Sequence, residues 1–190
     1  MLTVLTPADY QRTRWKNGQG WTTELAVRPA SGRFDWRVSI ADVDADCEFS
    51  TFPGVDRSIL VLSGEGLLLQ VGAEPPVTLR TGGEPLAFPG DVPAHARLIG
   101  GPTRDFNVMT RRGVFEHTLS IRPLDERLVL EQPAGSGWLI HVASGRAEVD
   151  AHHVAAGECA LAEPAGITGQ QLSLRGSGVL VLVRICLPSH

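Results

Sequence analysis

Arginine dominates the chemistry open to this chain. It carries nearly all of the positive charge among 17 lysine and arginine residues, Lys16 being the single lysine. A guanidinium is always charged and presents a planar fork of donors that matches a carboxylate. Several arginines fall beside other polar groups at strand spacing. In DFNVMTRR, residues 105–112, a period of two places Asp105, Asn107, Met109 and Arg111 on one face. In FDWRVSIAD, residues 34–42, Arg37, Ser39 and Ala41 lie opposite Trp36, Val38 and Ile40. In WTTELAV, residues 21–27, Thr22, Glu24 and Ala26 share a face, with Thr23, Leu25 and Val27 on the other. Arg57 stands just before the apolar run Ile59 to Leu62, inside PGVDRSILVLSGEG at 53–66.

Other chemistries find little support. Ser39 and Ser63 have no evident histidine and acid partners for a hydrolase triad. Cys47, Cys159 and Cys186 are widely spaced and odd in number, which argues against a disulfide framework or a structural zinc site. His152 and His153 adjoin a turn and read as solvated, and His117 and His141 read as strand or surface residues. The glycine-rich GQG and GEG lack the strand-to-helix setting of a phosphate loop. A net charge of −4, a pI near 5.8 and the absence of a basic run exclude a nucleic-acid binder. Trp15, Trp21 and Trp36 therefore read as core or pocket wall, not as base-stacking platforms. No apolar run approaches the roughly 18 residues that span a bilayer, and the first residues lack a signal-peptide pattern. The expectation is a cytoplasmic protein with no membrane contact.

The elements that must position these residues are short strands. At 190 residues with 43% hydrophobic content, the chain suffices for one large all-β unit or two smaller ones. Thr6-Pro7-Ala8-Asp9 is the one convincing helix start, predicting a short helix that ends near Arg12 to Arg14. Asp42 to Glu48 reads as an acidic, solvated loop. Leu67 to Val71 reads as the second arm of a hairpin after the Gly64–Gly66 turn. Turn signals recur every 8 to 12 residues or so, which indicates a sandwich or barrel.

The chain also repeats itself. ILVLSGEGLLLQV, LRTGGEPLAFPG and LIGGPTRDFNVMTR lie over LIHVASGRAEV, VAAGECALAEPAG and LRGSGVLVLVRI. Gly64 maps to Gly145, Gly83-Glu84 to Gly157-Glu158, Pro89 to Pro164 and Gly100 to Gly176. The copies differ in one respect. The last strand of the first block carries Asp, Asn and Arg on one face, whereas Val179 to Ile185 is almost purely apolar. A barrel with a polar interior can hold a ligand, and one filled by valine and leucine is packed scaffold. The working site is expected in the first half.

The pattern of strand, G-x-G turn, strand and then G-(D/E)-x-x-x-x-P-(A/G) resembles a cupin barrel, used twice. WKNGQGWTTEL at 15–25, WRVSIADV at 36–43, FSTFPGVDRSILVLSGEGLLL at 49–69 and DFNVMTRR at 105–112 together resemble the HutD/Ves family of bacterial bicupins. Gln19 and the Asp46-Cys47-Glu48 segment depart from that family's pattern in loops. The resemblance implies an all-β bicupin of two antiparallel barrel or jelly-roll halves with little helix. The division expected is 1–122 for the barrel with the pocket and 123–190 for a degenerate barrel. It further implies a regulatory protein of histidine utilisation that binds a pathway intermediate such as N-formylglutamate.

Metal cupins place a glutamate seven positions before the turn glycine, together with an H-x-H pair and a later histidine. In this chain that glutamate position is Arg57, residues 50–53 hold no histidine, and only His95 could stand for the later ligand. In the second block the same count reaches Trp138. No metal and no cofactor is expected. A guanidinium in that place must meet an anion, because an unpaired buried charge costs several kcal/mol or so. The candidate pocket for a small carboxylate is lined by Thr22, Glu24, Arg37, Arg57, Asp105, Asn107 and Arg111, with Lys16 and Asn17 as a lid. An ion-pair network, Arg57 with Asp105 or Asp56 and Arg111 with Glu24, is the competing reading of the same residues. No catalytic residue is assigned. A metal-independent isomerase or lyase using Lys16 or Glu24 as base, and an interaction protein without a ligand, remain alternatives. A homodimer through the apolar second half is compatible with each.

Overall fold

The computed structural model describes residues 1–16, 18–164 and 169–188. All regular structure among them is strand. The chain packs as two units, Gln11–Val114 and a discontinuous unit of Met1–Tyr10 with Phe115–His190. The division expected between residues 122 and 123 differs from this at both ends, since the first ten residues belong with the C-terminal part.

The Gln11–Val114 unit holds ten strands after β1 (Leu2–Leu5), which belongs to the other unit. They are β2 (Gln11–Arg14), β3 (Gly20–Arg28), β4 (Trp36–Val43), β5 (Cys47–Phe49) and β6 (Val55–Ser63). The series continues with β7 (Leu67–Val71), β8 (Val77–Leu79), β9 (Leu86–Pro89), β10 (Ala94–Leu98) and β11 (Thr103–Arg111). One sheet runs β2-β3-β4-β11-β6-β9 and the other β5-β10-β7-β8. Ala41, Val43, Cys47, Ile59, Val61, Leu67, Leu69, Phe88 and Ala96 form the buried layer between them.

Three sequence expectations are corrected here. β7 does not pair back on β6 but joins β10 and β8 in the second sheet. Gly64 and Gly66, at φ +96 and +114, turn the chain across, and a Cβ at Gly66 would lie 2.1 Å from the Leu79 carbonyl oxygen. The acidic loop is confined to residues 44–46: Asp42 ends inside β4, and Cys47–Phe49 pairs with β10. In β3 the strict alternation fails because a bulge between Glu24 and Ala26 leaves Leu25 and Ala26 both buried.

The other unit contains β1, β12 (Glu116–Gln132), β13 (Ser136–Val149), β14 (His152–Ala155), β15 (Cys159–Ala162) and β16 (Gln170–Cys186). Its order is β1-β15-β13-β16-β12, with β14 on β13. The expected helix at Thr6 is absent. Its cap is real, the Thr6 amide and hydroxyl both donating to Asp9 Oδ2 at 2.8 and 2.9 Å, but it closes one turn between β1 and β2. The pairing follows the repeat. β16 serves β12 and β13 along its length as β10 and β11 together serve β4, β5, β6 and β7. Leu124, Leu130, Ile140, Val142, Leu172, Leu174, Leu180 and Leu182 fill this unit, with Leu2 and Val4 of β1 against them. Among the described residues no helix is long and apolar enough to cross a membrane.

Candidate functional site

β11 is the central strand of the larger sheet, and its register builds the site in rows. Asp105 lies between Ala41 and Val61, Asn107 between Ser39 and Ile59, and Met109 between Arg37 and Arg57. The inner face thus passes from the apolar layer to polar groups along one strand. There it borders a cavity of about 500 Å³ lined by Arg14, Trp15, Lys16, Thr22, Arg37, Ser39, Ala41, Glu48, Phe49, Ser50, Phe52, Arg57, Asn107 and Met109.

Arg57 is the deepest cation of this cavity, 5% exposed. Its guanidinium donates from Nη1 to the Ser50 carbonyl at 3.1 Å and from Nη2 to Asn107 Oδ1 at 3.0 Å. Nε has no hydrogen-bond partner among the described residues. Three rings surround it, with centroids at 5.5 Å for Phe49, 5.4 Å for Phe52 and 4.9 Å for Phe88. Burial lowers the affinity of this group for its proton, to a pKa of about 10. The charge of Asp105 acts against that shift and that of Arg37 adds to it. Arg57 therefore stays charged at neutral pH.

Asn107 passes the contact inward, donating from Nδ2 to Asp105 Oδ1 at 2.5 Å. Asp105 is fully buried. Burial pushes its carboxyl up to about 7; the Asn107 hydrogen bond and the Arg57 charge hold it back, and the charge of Asp42 adds to the rise.

The loop that carries Ser50 and Phe52 is fastened from outside. Arg112 donates to Asp56 Oδ1 at 2.7 Å and to Asp91 Oδ2 at 2.8 Å, while the Gly54 amide donates to Asp91 Oδ1 at 2.7 Å. The Phe52 amide donates to the Gly90 carbonyl at 2.7 Å. At the other wall, Trp15 Nε1 donates to Thr22 Oγ1 at 2.7 Å, fixing both against the cavity.

Of the residues expected at the site, Lys16, Thr22, Arg37, Arg57 and Asn107 line one cavity. Asp105 lies behind Asn107 rather than on the wall. Glu24 is bound by Arg37, Nε to Oε2 at 2.6 Å, and Arg111 pairs with Asp35. The expected alternative pairings of Arg57 with Asp56 and Arg111 with Glu24 are therefore replaced, since both acids have other partners. Asn17 lies outside the described residues. The sequence reading missed Arg14, Ser39, Ala41, Glu48, Phe49, Ser50, Phe52 and Met109 as lining, and had Trp15 only as core or pocket wall. Ser39 and Met109 carried a signal, because they alternate with Arg37 and Asn107 on faces already identified. Phe49 and Phe52 come from the end of β5 and the loop after it, off the alternating faces, and carried none.

The cavity suits a metal poorly. Its deepest group is a guanidinium, and His95 is exposed on β10 between buried Ala94 and Ala96, on the outer face of its strand. Among the described residues no group of three or more His, Cys, Asp or Glu side chains could hold a metal ion.

Relatives carry the same framework. The chain is 41% identical over 110 residues to the "uncharacterized 21.2 kDa protein in hutC 3'region" of Pseudomonas putida, covering 57% of each chain. It is 40% identical over 99 residues to protein Ves of Cronobacter sakazakii, covering 52% of this chain and 54% of that one. The chain thus spans just over half the length of these curated relatives. The solved structure of HutD from Pseudomonas fluorescens SBW25, in a formate condition, superposes with a TM-score of 0.87 at 30% identity over all of both chains. YhhW of Escherichia coli, at 10% identity and a TM-score of 0.71, covers all of this chain and 99% of its own, and shares the fold alone. The HutD family model matches residues 7–182, and the chain belongs to the HutD family.

Proposed function

We propose that the Gln11–Val114 unit is a receptor for a small carboxylate compound, and that the protein uses it in the cytoplasm to regulate histidine utilisation. The observation that carries this reading is Arg57: a buried cation on the cavity wall whose direct hydrogen-bond partners are the neutral Ser50 carbonyl and Asn107 amide. Such a group is desolvated in advance and gains most from an anion that enters with its own acceptor oxygens. Arg14 and Lys16 add positive charge around the same space, against Glu48, while Arg37 is paired with Glu24. Phe49, Phe52 and Met109 offer apolar contact to a short carbon skeleton. Membership of the HutD family, and a relative named for the hutC 3' region, support a link to histidine breakdown. N-formylglutamate, an acid of suitable size, is the leading candidate.

Calorimetric titration with formate, N-formylglutamate, glutamate and urocanate tests the proposal. At least one acid binds with saturable heat, and Arg57→Met weakens it roughly 100-fold. That is the loss expected when a charge-assisted contact worth about 3 kcal/mol disappears. Arg57→Lys, which keeps the charge and loses the fork, falls between the two. No saturable heat from any of the four acids overturns the reading.

A further inference from the structure

Among the described residues, Arg57 and Asp105 are the only Asp, Glu, Lys or Arg side chains that are buried. They come from different strands and are joined by one side chain, Asn107. The polarity of this link is fixed by chemistry. A guanidinium can only donate, so Asn107 must turn Oδ1 toward Arg57 and thereby Nδ2 toward Asp105. Asp105 Oδ1 accepts that bond, while Oδ2 has no hydrogen-bond partner among the described residues. An orphaned, dry carboxylate oxygen is costly as an anion and far less so once it holds a proton.

We propose that Asp105 is a positioning residue for Arg57, acting through Asn107, and that an anion arriving at Arg57 drives a proton from solvent onto Asp105 Oδ2. The inference rests on the carboxylate reading of the cavity and adds its regulation by pH. Without ligand, Asp105 is the acid whose charge favours the charged form of Arg57. With a carboxylate in the cavity, two anions would share one cation in a desolvated space, and the sealed one yields by protonating.

The charges around Asp105 permit this. Arg57 of β6 favours its ionised form, and Asp42 of β4 opposes it. On β5, Cys47 is pushed up to about 11 by burial and by the charges of Asp105 and Asp46, so it stays a neutral thiol. Arg37, also on β4, opposes the charge on Arg57. The layer beneath, with Val61, Leu67 and Leu69, is apolar. On that background the free carboxyl lies at about 7, where a modest change of field moves its proton.

The test is an infrared pH titration of carboxyl protonation in the wild-type chain, Asp105→Asn and Arg57→Met, with and without saturating formate. Calorimetry of formate in two buffers of different ionisation heat accompanies it. One carboxyl titrates near neutral pH in the wild type and is missing in Asp105→Asn. Its midpoint rises in Arg57→Met and rises with formate. Formate binding between pH 7 and 8 takes up a fraction of a proton in the wild type and none in Asp105→Asn. Wild-type affinity falls by up to about tenfold per pH unit above the free midpoint, while that of Asp105→Asn stays flat. Absence of a titrating carboxyl assigned to Asp105 overturns the proposal. So does formate heat without proton uptake. If no acid gives heat, the carboxylate reading fails by itself, and the Arg57→Met midpoint decides the coupling: an unmoved midpoint overturns it.

Discussion

Arg57 would be a liability if its surroundings were only apolar, since burying an ion costs several kcal/mol or so even after relaxation. Two charge-assisted hydrogen bonds of about 1.5–3 kcal/mol each, and the faces of Phe49, Phe52 and Phe88, offset much of that. Asp105 adds an attraction at one remove, and the cost of keeping it dry falls on Asp105 itself. Its carboxyl stands at about 7 in the folded chain against an ordinary 3.8. Between those values the folded state holds a proton that the unfolded state has given up. The stability this group contributes is thus full below the ordinary value, declines as pH rises toward about 7, and is constant beyond. Asp105→Asn mimics the protonated acid and removes the decline. In urea unfolding at a series of pH values, the variant gains on the wild type from about pH 4 to pH 7 by on the order of a few kcal/mol and then runs parallel. A gap that does not change across that window would show that Asp105 titrates as an ordinary carboxylate.

At the scale of the strands, much of the site was legible because a period of two is a strong local signal. The faces of β4 and β11 follow from alternation alone, and antiparallel register then sets Asn107 beside Ser39 and Met109 beside Arg57. What alternation cannot give is pairing across distant segments. Glu24 goes to Arg37, Asp56 to Arg112 and Asp35 to Arg111, choices made by register and loop fastening far from each residue in sequence. The Thr6 cap illustrates the converse, a correct local reading overruled by strand pairing on either side. The repeat glycines were legible as landmarks, and the structure gives their reason. Gly64 has φ +96, and a Cβ there would lie 2.7 Å from the Pro102 carbonyl oxygen; at Gly145, φ +80, it would lie 2.0 Å from that of Ser177. Both approaches are to backbone, which cannot rotate away. Gly64→Ala and Gly145→Ala are each expected to cost roughly 2–4 kcal/mol in chemical denaturation, Gly145→Ala the more. Gly82 is the control: at φ +72 with no atom within 4 Å of an added Cβ, alanine there costs only about 1 kcal/mol of backbone strain.

At the scale of the molecule, order along the chain is not order in space. The first ten residues complete the unit formed by Phe115–His190, a relation that division by repeat could not reveal because β1 has no copy to match. β1 pairs with β15 from Leu2 opposite Ala162 to Leu5 opposite Cys159. Leu2 and Val4 rest on the apolar filling of that unit. Tyr10 closes the segment, its hydroxyl placed to donate to the carbonyl oxygens of Leu5 and Gly157, each at 3.1 Å, and 3.3 Å from Cys159 Sγ. The Cys159 thiol lies 3.4 Å from His141 Nδ1 and is pushed up to about 12, chiefly by burial, so this cluster fastens rather than reacts. Two substitutions separate the contributions of the fastening. Tyr10→Phe removes one donor from a part-buried site and should cost about 1 kcal/mol, the usual net value of such a bond. Val4→Asp sets a charge against Leu and Val side chains and should cost more, roughly 3 kcal/mol, by lost burial and desolvation. Amide hydrogen exchange locates the effect: protection falls first in β1 and β15 for both variants, and further into β13 for Val4→Asp. Uniform loss of protection across β12, β13 and β16 in Tyr10→Phe would mean that the N-terminal segment is integral to the folding of this unit, not a strand added at its edge.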